Sequence, residues 1–177
     1  MLLTGFFALM HLGELSFPNT IKLCNWKKVT KRSTVIISDH QYKFFLPSHK
    51  ANPFFEGNHV IITKKQYCDV NDINPHSVFL TYLTSHDARF PLLSLLWITS
   101  TGSVPTCHFF ITQLHRYFEK DITGQSMRAG GATSLAENGV PPSLIQLIGR
   151  WSSDAFFMYI RKSPVLIQAL LYLQRRS

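Results

Sequence analysis

The stretch that decides the fold is GQSMRAGGAT at residues 124–133, followed by GRWSS at residues 149–153 and YIR at residues 159–161. Arg128 stands among small residues that allow close packing against neighbouring elements, which favours a buried arginine. Trp151 comes just after Gly149, a residue type that commonly ends helices. Tyr159 follows about two helical turns later. The pattern therefore places an arginine, an indole and a phenol where they can act together.

The composition describes a chain with enough apolar residues for one folded domain. Of its 177 residues, 45% are hydrophobic and 13% aromatic, which argues against disorder. The formal net charge of +8 favours a polyanionic partner, nucleic acid before an anionic membrane. No apolar run reaches the roughly 18 residues of a membrane span, and the three scattered cysteines form no metal or disulfide motif. We therefore expect no membrane partner, metal or cofactor.

Local patterns predict a mainly helical α+β domain. Apolar spacing indicates a helix over residues 3–15 that ends at Leu15. Three β-branched or aromatic runs follow at residues 34–37, 41–46 and 59–63, separated by turns at residues 39–40 and 53–58. A short strand is predicted at residues 96–99, and the other elements are helices that begin near Pro75, Pro105, Ser126, Pro142, Asp154 and Pro164. The small antiparallel sheet is thus inserted after the first helix.

Taken together, these motifs resemble the C-terminal catalytic domain of the tyrosine recombinases, and most closely the versions in fungal mobile elements. The resemblance covers most of the chain, so we expect residues 1–177 to form one catalytic domain without the family's N-terminal core-binding domain. It implies DNA recombination or integration through a 3′-phosphotyrosyl intermediate. Double-stranded DNA is the implied partner, with homo-oligomers forming on it, and no small-molecule substrate is expected. A nuclear or otherwise intracellular location follows.

The resemblance also implies roles for single residues. In that family a tyrosine attacks a phosphodiester, arginines stabilise the charge that develops, and a lysine donates a proton to the leaving oxygen. Tyr159 matches the nucleophile, Arg128 the second arginine, and Lys50 the lysine of the β-ribbon. Trp151 suits the position of a phosphate-binding His or Trp.

Arg150 competes with Trp151 for that last position. Counted back from Tyr159, Arg150 has the usual spacing and Trp151 falls one residue short. An indole N–H is the donor that the position needs, which favours Trp151. We therefore assign Arg150 to DNA contacts, together with Arg161 and Lys43.

Two positions depart from the family pattern. In MHLGEL at residues 10–15, His11 stands where the first arginine is expected, and Glu14 matches the acid that braces it. A histidine cannot make the bidentate contact of a guanidinium. Gln125 replaces the histidine of the H-x-x-R motif, and an amide carries no proton between groups.

These departures predict a DNA-binding domain with a decayed active site. One alternative is an active recombinase or transposase fragment, in which His11 is protonated beside Glu14. Another is a domesticated module that binds nucleic acid or protein through its basic face.

Overall fold

The computed structural model describes residues 1–47, 57–64 and 74–152, together with positions 156, 158, 160, 164, 167, 168 and 171. Three predicted site residues, Lys50, Tyr159 and Arg161, lie outside the described residues. Most of the predicted turn at residues 53–58 lies outside them as well. At the described positions from 156 to 171 the backbone is helical.

Six α-helices and one sheet make up the described fold. In chain order they are α1 (Leu2–Phe7), α2 (Leu12–Leu15), β1 (Ile36–Ile37), β2 (Gln41–Leu46), β3 (Asn58–Thr63), α3 (Pro75–Arg89), α4 (Cys107–Leu114), α5 (Gly124–Glu137) and α6 (Pro142–Gly149). Short 3-10 turns connect α2 to β1. The predicted class is confirmed: a mainly helical α+β fold with a small antiparallel sheet after the first helices.

The sheet forms because its central strand alternates. In β2, Tyr42, Phe44 and Leu46 are fully buried while the residues between them are half-buried. Both neighbours pair antiparallel to β2, giving the order β1-β2-β3. Helix α3 covers the buried face, and Phe79 stacks on Tyr42 with 3.8 Å between ring centroids.

The prediction of a single helix at residues 3–15 was wrong, because the helical conformation is interrupted between α1 and α2. Leu9 adopts a positive φ of 49°, a conformation that no continuous helix contains. The break turns successive side chains in different directions. Ala8 and Met10 join one hydrophobic cluster, with the sheet, whereas Leu9 joins a second cluster with α5 and α6. Burial of these three side chains in two different clusters therefore decides the backbone conformation here, against the helical spacing of the apolar residues.

The strand predicted at residues 96–99 was also wrong. Leu95 makes an isolated bridge to Lys31, and the next residues form no strand. Leu96 and Trp97 are consecutive and both buried, so this segment does not alternate as a half-exposed strand does. Helix α4 begins at Cys107 instead of Pro105, because Thr106 caps it by accepting from the N–H of Phe109 at 3.1 Å.

Helices α1 and α5 pack closely through a glycine. A Cβ at Gly131 would overlap the carbonyl oxygen of Phe6, so only glycine allows this approach. The contact brings the N-terminal half of α5 beside the break at Leu9. At the end of α6, Arg150 takes the left-handed conformation, with φ 54°, and turns the chain back toward α1. The regions of Arg128, Arg150 and α2 therefore meet.

Candidate active site

Four of the six predicted catalytic residues line one open cleft of about 830 Å³. The start of α2 forms one wall, the first turns of α5 another, and the segment after α6 closes the end. Ile111 and His115 contribute from α4. The predicted residues that meet in this cleft are His11, Gln125, Arg128 and Trp151.

Arg128 is fixed by the backbone of two other segments. Only 6% of the residue is exposed. Its Nη1 donates to the carbonyl oxygen of Leu9, and its Nη2 donates to that of Gly149 at 2.5 Å. The break after α1 and the end of α6 therefore provide the two acceptors. A guanidinium held at both ends has a defined orientation at the cleft.

Trp151 adds a third constraint on Arg128. The guanidinium carbon of Arg128 lies 4.2 Å from the ring centroid of Trp151, a cation–π contact typically worth about 0.5–2 kcal/mol. The indole also lies against Gly149, where any Cβ would overlap the ring. Glycine at position 149 therefore serves ring packing as well as helix termination. Phe156 also packs against the indole, with 5.6 Å between ring centroids.

The acid predicted to brace an arginine at position 11 braces Arg150 instead. Oε2 of Glu14 accepts from Nη2 of Arg150 at 2.9 Å and from the backbone N–H of His11 at 2.8 Å. The two side chains are only 6% and 11% exposed. Arg150 also donates from Nη1 to the carbonyl oxygens of Ala8 and Ile148, both at 3.2 Å. Its described contacts are thus internal, and its assignment to DNA contacts stays a prediction.

His11 is exposed and lies at the N-cap of α2 in an extended conformation. The pairing of Glu14 with Arg150 offsets the carboxylate charge that was expected to act on the His11 ring. A second cation at position 11 would therefore share one carboxylate with Arg150.

Gln125 lies exposed in the first turn of α5. Thr123 caps this helix by accepting from the N–H of Gln125 at 3.3 Å, and its own N–H donates to Oγ of Ser126 at 3.0 Å. The cap fixes the helix start, and with it the spacing between Gln125 and Arg128 on the cleft. The Gln125 amide can hydrogen-bond a phosphate oxygen but cannot carry a proton to it.

His115 lines the cleft and was not found by sequence reasoning. It follows α4 as the C-cap, and its Nε2 lies 3.0 Å from the carbonyl oxygen of Ile122. A carbonyl only accepts, so Nε2 is the donor in this hydrogen bond. No spacing relative to Arg128 marks this histidine, because it enters the cleft from another helix.

The remaining predicted residues divide into two groups. Lys43 lies half-buried in the middle of β2, where it pairs with Ile36 and Ile61. Lys50, Tyr159 and Arg161 lie outside the described part of the chain, so their roles stay predictions.

Within the described residues, no group of three or more His, Cys, Asp or Glu side chains is arranged to hold a metal ion. Over the same ranges, no helix combines the length and apolar character that crossing a membrane requires.

Comparison with known proteins supports the fold through structure alone. No family model matches the chain, and no curated protein matches it. Among solved structures, the XerH site-specific recombinase, in a post-cleavage complex with palindromic difH substrate, is similar with a TM-score of 0.60 and 15% sequence identity. The match covers 98% of this chain and 45% of that one, so the chain spans less than half the length of that recombinase.

A second similar structure is the Tn1549 transposon integrase in complex with transposon right end DNA. Its TM-score is 0.45 at 16% identity, covering 90% of this chain and 52% of the other. The XerH match and the helix and sheet order together define a recombinase catalytic-domain fold for this chain.

Proposed function

We propose that this chain is a DNA-binding domain of the tyrosine recombinase type in which the active site has decayed. The observation that carries the proposal is the cleft, where Arg128 is clamped between two carbonyls and the Trp151 ring within a recombinase fold. The segments at residues 124–133 and 149–153, which are separate in the sequence, thus meet at this cleft. Membership of the mobile-element branch and a nuclear location remain part of the proposal.

Charge supports DNA as the partner. The chain carries a formal net charge of +8, and basic proteins gain affinity for DNA by releasing condensed counterions. The similar XerH structure is itself a complex with its difH substrate. Arginine is the residue type best suited to phosphate, because its planar donors match two phosphate oxygens, and Arg128 lines the cleft although the carbonyls of Leu9 and Gly149 accept from its two Nη atoms.

Weak or absent catalysis follows from the residues at the cleft. Negative charge grows on the phosphate oxygens in the transition state, and fixed cations stabilise it. Removal of a transition-state arginine lowers the rate about 10³–10⁵-fold in other phosphoryl-transfer enzymes. Here position 11 holds an exposed histidine, and Glu14 is engaged by Arg150.

Binding is tested by fluorescence anisotropy with a labelled DNA duplex across a salt series. We expect weak binding with little sequence preference, and a linear fall of log affinity with log salt concentration. Gln125→Glu places a negative charge in the cleft and should weaken binding. Gln113→Glu is the matched control, because it makes the same change on α4 at a position that does not line the cleft. Binding that is absent at low salt, or that ignores salt, rules out DNA as the partner.

A second candidate, an active recombinase fragment, is favoured by one observation. His115 brings an imidazole to the cleft that Gln125 lines, and an imidazole can donate a proton near neutral pH. In this reading His115 supplies the function that Gln125 has lost.

A nicked suicide DNA substrate separates the two candidates. The decayed site predicts little or no covalent protein–DNA adduct from the unmodified chain. Appearance of an adduct after His11→Arg combined with Gln125→His would support decay by those two replacements. An adduct from the unmodified chain that disappears in both His115→Gln and Tyr159→Phe would instead establish the active candidate. Tyr159→Phe retains the ring and removes the attacking oxygen in either case.

A further inference from the structure

The loop between α2 and β1 carries a concentration of positive charge. The chain contains no aspartate or glutamate between residues 15 and 38. Four lysines in this stretch have exposed side chains, and they are Lys22, Lys27, Lys28 and Lys31. Arg32 differs from them, because its guanidinium donates to both carboxylate oxygens of Asp87, at 2.9 and 2.6 Å. Residues 21–31, here named the basic loop, therefore favour an anionic partner.

Two large apolar residues are exposed within the basic loop. Leu23 is 71% exposed and Trp26 is 56% exposed, although burial of an indole is normally a large source of stability. Trp26 directly precedes Lys27 and Lys28 in one 3-10 turn. An accessible aromatic residue and two cationic groups thus lie within a single turn of the chain.

The basic loop is held in shape by contacts on both sides of Trp26. The ring of Phe17 packs on that of Trp26, with 5.1 Å between centroids. Oδ1 of Asn25 accepts from the backbone N–H of Lys27 at 3.0 Å. Further along, the carbonyl oxygen of Thr30 accepts from the N–H of Leu96 at 2.9 Å. A partner therefore meets a surface that is already ordered, which lowers the entropic cost of binding.

Three kinds of anionic partner differ in what they offer this surface. Duplex DNA presents phosphates but keeps its base faces stacked inside. An anionic membrane is usually bound by an amphipathic helix with a broad apolar face, whereas the two 3-10 turns of this region have three residues each. An unpaired strand presents both phosphates and accessible base faces, which suit lysines and aromatic rings. The exposed Trp26 among lysines therefore favours the unpaired strand.

We propose that the basic loop binds single-stranded nucleic acid, with one base stacked on Trp26 and the flanking phosphates beside the lysines. Every base has a face that can stack, so the sequence of the strand has little influence. No residue of the basic loop lines the cleft in the described structure. The surface is thus separate from the cleft, and its role does not rest on the proposed binding of duplex DNA.

Fluorescence anisotropy with a labelled strand of about twelve thymidines, a length within the usual site size of single-strand binding proteins, tests the role of Trp26. Trp26→Ala should weaken binding of this strand at least about fivefold, through the loss of one stacked base. Binding of a labelled duplex should stay unchanged. Trp26→Phe retains a ring and should keep most of the affinity, which separates stacking from damage to the fold. Tyr117→Ala is the matched control, because it removes an 81%-exposed aromatic residue from the turn after α4.

The salt dependence of binding tests the lysines. The logarithm of the affinity for a single strand falls with log salt concentration by about 0.7 for each phosphate contact. Lys27→Gln combined with Lys31→Gln should therefore lower this slope by about 1.4. Arg116→Gln combined with Lys120→Gln removes two exposed cations after α4 and should leave the slope unchanged.

Several outcomes would overturn the proposal. They are absence of binding to the thymidine strand at low salt, equal binding by Trp26→Ala and the unmodified chain, and an equal loss of duplex binding in Trp26→Ala. Co-sedimentation with phosphatidylserine vesicles, lost in Trp26→Ala and without binding of the thymidine strand, would assign the basic loop to membranes instead. Failure of duplex binding alone would contradict the function proposed for the cleft and leave this inference standing.

Discussion

At the scale of single residues, the exchange of partner around Glu14 distinguishes this site from the pattern that it resembles. The Glu14 carboxylate is buried at α2, and its cationic partner comes from position 150. Arg150 reaches it because the left-handed turn at the end of α6 directs the chain back over the break after α1. The pair therefore joins α2 to the segment after α6, and neighbouring residues of both line the cleft.

We expect Arg150→Met to destabilise the fold by about 3–5 kcal/mol, because it leaves the Glu14 carboxylate buried without a cation. Urea unfolding measures the change. The double variant Arg150→Met with Glu14→Gln removes the uncompensated charge and should recover much of the loss. Arg116→Met is the control for a lost guanidinium, since Arg116 is exposed and bonds only Gln113 in the described structure. A loss below about 1 kcal/mol for Arg150→Met would contradict a structural role for the pair.

At the scale of elements, the contact between α1 and α5 sets the position of Arg128. Two adjacent glycines of α5 face α1 in different ways. Gly131 lies against the backbone of Phe6, whereas a Cβ at Gly130 would meet only the ring edge of Phe6 at 3.4 Å. The helix therefore tolerates a larger residue at one of these positions but not at the other.

This difference predicts opposite effects of the same substitution. Alanine improves helix propensity by about 1 kcal/mol relative to glycine, so Gly130→Ala should leave stability unchanged or raise it. Gly131→Ala must push the α1 backbone away, and overpacking of this kind typically costs about 1–3 kcal/mol. Thermal unfolding of both variants provides the comparison. Equal effects would mean that the α1–α5 approach is not as close as the structure shows.

At the scale of the whole molecule, two hydrophobic clusters share the segment between α1 and α2, and a hydrogen bond links the sheet to α1. The Tyr42 hydroxyl lies 3.0 Å from Oγ1 of Thr4, and both groups are buried. Burial raises the pKa of Tyr42, and the bond to Thr4 only partly opposes this. The neutral phenol is therefore the form that the fold requires.

The raised pKa of Tyr42 makes stability depend on alkaline pH. The folded state holds the phenol proton more tightly than the unfolded chain, whose tyrosines have a pKa of about 10. This contribution is complete below about pH 10 and is lost as the pH rises above it. We expect the free energy of unfolding to fall in that range, together with the appearance of tyrosinate absorbance.

Tyr42→Phe tests the origin of that loss. The variant should be less stable at neutral pH by about 1–3 kcal/mol, because Thr4 loses its buried partner. It should also show a smaller fall at alkaline pH. Tyr117→Phe is the control, since Tyr117 is 81% exposed. An alkaline fall that is the same in both variants would assign the effect to another group.

Sequence patterns correctly predicted the secondary-structure elements that depend on neighbouring residues. Strand β2 was predicted from its aromatic run between turn residues, and the starts of α3 and α6 from proline in the first turn. The buried setting of Arg128 followed from the small residues around it. These features depend on residues only a few positions apart, which is why they can be read along the chain.

Tertiary packing decided the rest. It broke the first helix at Leu9, because two clusters bury its neighbouring side chains. It paired Arg150 with Glu14 across 136 positions and brought His115 into the cleft from a separate helix. Such contacts depend on how elements pack in three dimensions, and no periodicity or spacing along the chain encodes them. The sequence by itself therefore determined which side chains are present, and only the tertiary structure decided which of them meet.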